Sequence, residues 1–176
     1  MSKPTVGIFG LTGCAGDQLV ILNCEDQLLD LVALIDIPDF LMASSENRTG
    51  CALDVALVEG AVVTARDAAL LRAVRQRAGV LVALGTCAVW GGVAGMNGHG
   101  PRARLLQEVY GECGKDYDSQ AARPLHELVP VDLNITGCPI EKEHFLAAVA
   151  ALLNGDVPLY PTYPVCTEYL GGIAHG

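Results

Sequence analysis

The chain reads as one doubly wound α/β domain: a parallel sheet with helices on both faces and an extended C-terminal tail. Three observations lead there. Short apolar runs of buried parallel-strand type alternate with stretches of helical spacing. Of 176 residues, 51% are apolar, enough for a sizeable core in a single domain. Three of the apolar runs break into glycine-flanked loops that each deliver a cysteine, at Cys14, Cys87 and Cys138.

Residues 5–9 form the first strand, an apolar run that ends at Gly10. Leu19, Val20, Leu22, Leu28 and Leu29 give residues 18–29 the apolar stripe of a helix. Residues 31–36 read as a second strand. Residues 37–50 read as a loop, with Pro38, Ser44, Ser45, Glu46, Asn47 and Gly50 as turn chemistry. The third strand is residues 53–59, ending at Glu59 before Gly60. Thr64 is placed as the N-cap of a helix over 65–78, with Asp67 at its third helical position and Gly79 as its terminator. Residues 80–84 make the fourth strand. A glycine-rich segment follows, with Gly91, Gly92, Gly95, Gly98 and Gly100.

Beyond it, residues 102–111 read as a helix, 112–124 as polar and irregular, and 128–135 as the last strand. A helix over 141–153 is closed by Asn154-Gly155. From Asp156 onward, Pro158, Pro161 and Pro164 predict an extended tail. The expected division is residues 1–155 as the domain and 156–176 as a tail packing on it or on a partner. In sheets of this kind, sites lie outside the carboxyl ends of the strands. All three loop cysteines fall at that end.

The net charge is −9 and the isoelectric point near 4.7. Arg66, Arg72, Arg75 and Arg77 are spaced along one helical pattern and read as a solvated face. Nucleic-acid binding is therefore not expected. No leader peptide and no apolar run of membrane-spanning length is seen, so the expected setting is cytoplasmic, without direct membrane insertion. Mean hydropathy is +0.37, more apolar than a solitary domain needs. A broad interface with another subunit accounts for the excess, and so does a core rich in alanine and valine.

Seven cysteines, with no pair spaced C-x-x-C, do not suggest a disulfide framework or a zinc finger. Thiolates are soft, anionic ligands for iron–sulfur clusters. Three of them on glycine-flanked loops leave one position open. Asp17 stands three residues after Cys14, the offset of a C-x-x-C pair with carboxylate in place of thiolate. It also stands where a helix begins, and spacing alone favours aspartate as the N-cap there. Flanking glycines such as Gly13 and Gly137 let backbone N–H groups approach sulfur; they serve equally as turn residues or as a cradle for flavin phosphate. Glu59 can order the loop or be a plain strand-end acid. Cys24, Cys51 and Cys113 lack the loop context and read as structural, and His99 as a surface or packing residue.

Five segments carry a resemblance. They are Leu-Thr-Gly-Cys-Ala-Gly-Asp, Val-Glu-Gly-Ala-Val, Gly-Thr-Cys-Ala-Val-Trp-Gly-Gly, Thr-Gly-Cys-Pro-Ile and Pro-Val-Cys-Thr-Glu. Together, and in this order, they resemble the small subunit of nickel–iron hydrogenases. The likeness is to the cytoplasmic group linked to NAD, NADP or the deazaflavin F420. The cluster-bearing 20 kDa subunit of respiratory complex I is related. The resemblance implies a flavodoxin-like fold and one proximal [4Fe-4S] cluster. It implies Cys14, Cys87 and Cys138 as ligands, with Gly13, Thr86, Gly137 and Glu59 around the cluster.

The fourth family ligand falls on Asp17, where most members have cysteine. This favours aspartate as a ligand, ahead of a water or a missing iron. The same resemblance places the nickel–iron centre in a separate large subunit and implies a diaphorase or other flavin-bearing partner. No residue of this chain is expected to act as acid or base. Tyr169 stands where longer members have a further cysteine, so one cluster is expected and Cys166 reads as a leftover thiol. Three rivals remain: a complex I-like quinone-linked subunit, a flavodoxin-like flavin binder without iron, and a purely structural partner subunit that has lost its cluster.

Overall fold

The computed structural model describes residues 3–96 and 101–155. Five strands form one all-parallel sheet: β1 (Thr5–Gly10), β2 (Asp36–Phe40), β3 (Leu53–Glu59), β4 (Ala78–Leu84) and β5 (Leu133–Ile135). Their order is β2-β1-β3-β4-β5. This is the flavodoxin-like winding, whose direction reverses between β1 and β3. Alternate side chains of the strands enter two separate cores. Val55, Leu57, Val82 and Leu84 face α1 (Gly16–Leu22), α2 (Glu25–Leu34) and α6 (Lys142–Leu153). Ala56, Val58, Leu81 and Ala83 face α3 (Ala65–Arg77) and α4 (Gly85–Trp90). A further helix, α5 (Arg102–Tyr110), buries none of its residues.

The register sets up the site. Gly10 pairs with Glu59, Glu59 with Leu84, and Leu84 with Ile135. Four strands therefore finish in one row. The loops after β1, β4 and β5, which carry the three cysteines, leave the sheet side by side.

Several elements differ from the sequence reading. Residues 18–29 are not one helix but parts of α1 and α2, broken at Asn23 and Cys24. Cys24 is fully buried there and donates its thiol to the Val20 carbonyl. Leu31–Leu34 belongs to α2, and β2 lies in the stretch expected as a loop. A short apolar run does not announce its own period, and here Leu31 continues the helix. Pro38 is tolerated within β2 because that strand is an edge of the sheet.

Gly79 does not stop α3. It sits in β4, where a Cβ would come within 3.0 Å of the Asp54 carbonyl of β3. The helix ends at Arg77, and Arg75 donates to the carbonyls of Ala78 and Gly79. The last strand is short, Leu133–Ile135, and the segment before it holds a turn of 3-10 helix at Leu125–Glu127. The short helix α4 had no expected counterpart. The Thr64 cap is as expected: its hydroxyl accepts the Asp67 N–H and Asp67 accepts the Thr64 N–H. The tail from Asp156, with Cys166 and Tyr169, lies outside the described residues, as does His99.

Candidate metal centre

The first cysteine loop is pinned along its length to the end of β3. Leu11 N–H donates to the Glu59 carbonyl at 2.8 Å, and Ala61 N–H to the Thr12 carbonyl at 2.9 Å. Gly60 has φ +92, and a Cβ there would meet the Leu11 carbonyl carbon at 2.9 Å. Gly13 lies over the same corner: its Cβ position is 3.3 Å from Gly60 Cα and 3.8 Å from Glu59 Oε1. Small residues are needed on both sides of this crossing.

Cys14 is exposed at the tip, and α1 starts two residues later. The expected cap is not found: Asp17 lies inside α1 and the N-cap position is Ala15, at φ 62 and with no side-chain acceptor. The reason is that a distant residue does the capping. Glu59, only 2% exposed, accepts the N–H groups of Asp17 at 3.4 Å and Gln18 at 3.3 Å, and the Gln18 amide at 2.8 Å. Asp17 instead turns toward the β5 loop. Its Oδ1 accepts the Ile140 N–H at 2.8 Å, and its Oδ2 occupies the space a side chain on Gly85 would need.

The other two loops are joined likewise. Thr86 gives both its N–H, at 2.7 Å, and its hydroxyl, at 2.9 Å, to the Gly137 carbonyl. Cys87 therefore lies in the first turn of α4 beside the loop that carries Cys138. Two further glycines of the quoted segments border sulfur. A Cβ on Gly92 would lie 2.5 Å from Cys87 Sγ, and one on Gly16 would lie 3.3 Å from Cys14 Sγ and 3.7 Å from Pro139 Cβ. The structure thus brings together Cys14, Asp17, Glu59, Thr86, Cys87, Gly137 and Cys138. Cys24 and Cys51 lie apart, packed in or against the two cores. Cys113 is exposed rather than packed, contrary to the structural role expected of it. Gln18 carries no local sequence signal, because it matters only through distant Glu59; Gly85 and Ile140 fall within the quoted segments, but their contacts with Asp17 do not show there.

The convergence has electrostatic consequences. Burial, then the neighbouring thiols of Cys138 and Cys14, then the carboxylates of Asp17 and Glu59, push the Cys87 thiol up from its ordinary value. Burial pushes Asp17 up to about 6, the Ile140 N–H working against this and Glu59 adding to it. Among the described residues no lysine or arginine pairs with either carboxylate. A set of mutually repelling thiols and carboxylates suits bound cations, whose charge reverses this pKa logic. Among the described residues no three histidine, cysteine, aspartate or glutamate side chains are close enough to hold one bare metal ion. A polynuclear cluster is wider than an ion and suits donors presented from separate loops.

Residues 14–152 match the family model for the NADH ubiquinone oxidoreductase 20 Kd subunit. The chain belongs to this family. Subunit delta of sulfhydrogenase 2 from Pyrococcus furiosus is 39% identical over 163 residues, covering 93% of this chain and 68% of that one. One subunit of the vhu F420-non-reducing hydrogenase from Methanocaldococcus jannaschii is 29% identical over 174 residues. This match covers 93% of the chain and 60% of that relative. A chain of the crystal structure of an NAD+-reducing [NiFe]-hydrogenase in its H2-reduced state superposes with a TM-score of 0.79 at 30% identity. The superposition covers 92% of this chain and 97% of that one. Within the 20 kDa family, this member is of the nickel–iron hydrogenase small-subunit type. Among its described residues no helix is long and apolar enough to cross a membrane.

Proposed function

We propose that this chain is the electron-relay subunit of a nickel–iron hydrogenase, holding one proximal [4Fe-4S] cluster. Cys14, Cys87 and Cys138 would supply three thiolates and Asp17 the fourth ligand, its Oδ1 being already engaged by the Ile140 N–H. When bound, such a cluster passes single electrons by outer-sphere transfer, its potential set by ligand type, hydrogen bonds and burial. An oxygen donor is harder and less covalent than sulfur, so an iron held by Asp17 would be more labile than one held by cysteine. This chain's own residues position and insulate. Thr86 locks the Cys87 turn to the Cys138 loop. Gly13, Gly16, Gly92 and Gly137 leave room for close approach, and Glu59 holds the first loop from beneath. None of them transfers a proton in the relay.

The observation that carries the reading is the interlocking of the three cysteine loops along one row of strand ends. Beside them lies exposed apolar surface. Trp90, Val93 and Met96 follow Cys87 in the chain and are 38%, 79% and 45% exposed, and Leu19 on α1 is 49% exposed. Surface of this kind fits a large subunit that contains the nickel–iron centre and splits or forms H2. The electron acceptor beyond it is a diaphorase or other flavin-bearing module, and the complex is cytoplasmic.

Metal analysis of the anaerobically purified complex tests the reading. About four iron and four acid-labile sulfide per chain are expected, with a broad visible shoulder that bleaches on reduction. Two resolved flavin bands without iron would overturn it in favour of a flavin binder.

A further inference from the structure

We infer that Gln18 is a positioning residue for the Cys14 loop, acting through Glu59. The inference rests on the reading that Cys14 holds a cluster, but its first step is purely geometric. The N–H groups of the second and third residues of a helix are the ones an N-cap side chain ordinarily accepts. In α1 these belong to Asp17 and Gln18, and both go to Glu59, on a different strand. The local cap position is Ala15, which has no acceptor and adopts a left-handed conformation disfavoured for any residue with a Cβ. That turn lies one residue after Cys14, so whatever holds Glu59 in place holds the thiol in place.

The Gln18 side chain does this. It is 7% exposed, and its amide makes the shortest of the three bonds to Glu59, at 2.8 Å to Oε2. Space for it exists because the residue facing Glu59 across β1 and β3 is Gly10. A Cβ on Gly10 would lie 2.7 Å from Gln18 Nε2. Three residues thus form one device: a glycine that makes room, an amide that fills it, and a carboxylate that the amide fixes as a remote cap. Without the amide, the carboxylate loses the contact that fixes its rotamer, the two N–H bonds weaken, and the Ala15 turn relaxes.

The test compares the complex carrying Gln18→Leu, which removes the donor, with Gly10→Ala, which keeps Gln18 and crowds its amide. Hydrogen exchange is followed at the Asp17 and Gln18 amides, together with EPR g-values and the midpoint potential of the reduced complex. Expected are exchange at least ten-fold faster at those two amides, unchanged exchange in α3, and displaced g-values and potential, in each variant that folds. Unchanged exchange at both amides would overturn the inference. So would faster exchange with unaltered spectrum and potential, because Gln18 would then stabilise a helix end without positioning Cys14. If the wild-type complex contains no iron, the cluster reading fails separately. Alkylation of Cys14, measured against exposed Cys113, then replaces EPR: a rate changed several-fold by either variant supports the clamp, and an unchanged rate overturns it.

Discussion

The Ile140 N–H donates to Asp17 Oδ1 at 2.8 Å, tying the first turn of α1 to the loop after β5, 123 residues away in the chain. Both residues are buried, so neither group has water as a substitute partner. Asp17→Ala should cost about 1–3 kcal/mol in urea denaturation, the penalty of an unpaired buried N–H. Asp17→Asn, which keeps an acceptor oxygen, should recover most of that loss. Asp17→Cys separates strut from ligand. If the carboxylate binds iron, the substitution should change the EPR spectrum and the midpoint potential of the reduced complex. Identical spectra would leave Asp17 as a strut alone.

Gly85 and Gly50 share a left-handed backbone, at φ +77 and +90, but not their surroundings. A Cβ on Gly50 meets nothing, so Gly50→Ala should cost only the backbone strain, about 1–2 kcal/mol. A Cβ on Gly85 falls on the Asp17 carboxylate. Gly85→Ala should cost about 3 kcal/mol or more and also lower the iron content of the purified complex. Thermal unfolding of both variants checks the order. Equal costs would mean that Asp17 moves aside freely.

The cysteine panel follows from which thiols share the loops. Replacement of Cys14, Cys87 or Cys138 by serine should abolish or strongly reduce the visible absorption of the complex. The same replacement at Cys51 or Cys113 should leave it intact. Cys24→Ser should keep the absorption and lose some stability, because Cys24 is packed in the core with its thiol on the Val20 carbonyl. Loss of absorption in Cys51→Ser or Cys113→Ser would require a different ligand set.

The parts legible in the sequence are those whose cause is local. The strand at Leu53–Glu59 and the Thr64–Asp67 capping box each lie within a few residues, and both are found where expected. The three cysteines were legible as strand-end positions, whereas the distant contacts that hold their loops were not. The rest depends on long-range partners. Asp17 has the composition of a cap, but the cap is Glu59, 42 residues away, and the aspartate is left free to reach Ile140. The edge strand β2 carries a proline and reads as a loop until the sheet shows that this edge needs no donor there. Gly10 looks like a plain strand terminator; only the Gln18 amide lying against it shows why no side chain fits.

Asp67 gives the chain a pH-dependent link between α3 and the first cysteine loop. Partial burial opposes its ionisation, but hydrogen bonds from the Thr12 hydroxyl, the Val63 and Thr64 N–H groups and the Thr64 side chain outweigh this and hold its carboxyl below the usual range. Thr12 stands two residues before Cys14, so the same carboxylate anchors the loop at 2.8 Å. A carboxyl depressed in the folded state stabilises above its unfolded pKa, about 3.9, and that contribution is lost as pH falls through the lower folded value. Asp67→Asn should therefore cost about 0.5–2 kcal/mol at neutral pH, the range for a lost helix cap. The gap to wild type should close progressively below about pH 4, where the wild-type carboxyl also becomes neutral. Urea titrations of both proteins at a series of pH values measure the gap directly. A gap independent of pH would mean that the shape of Asp67, and not its charge, holds the corner together.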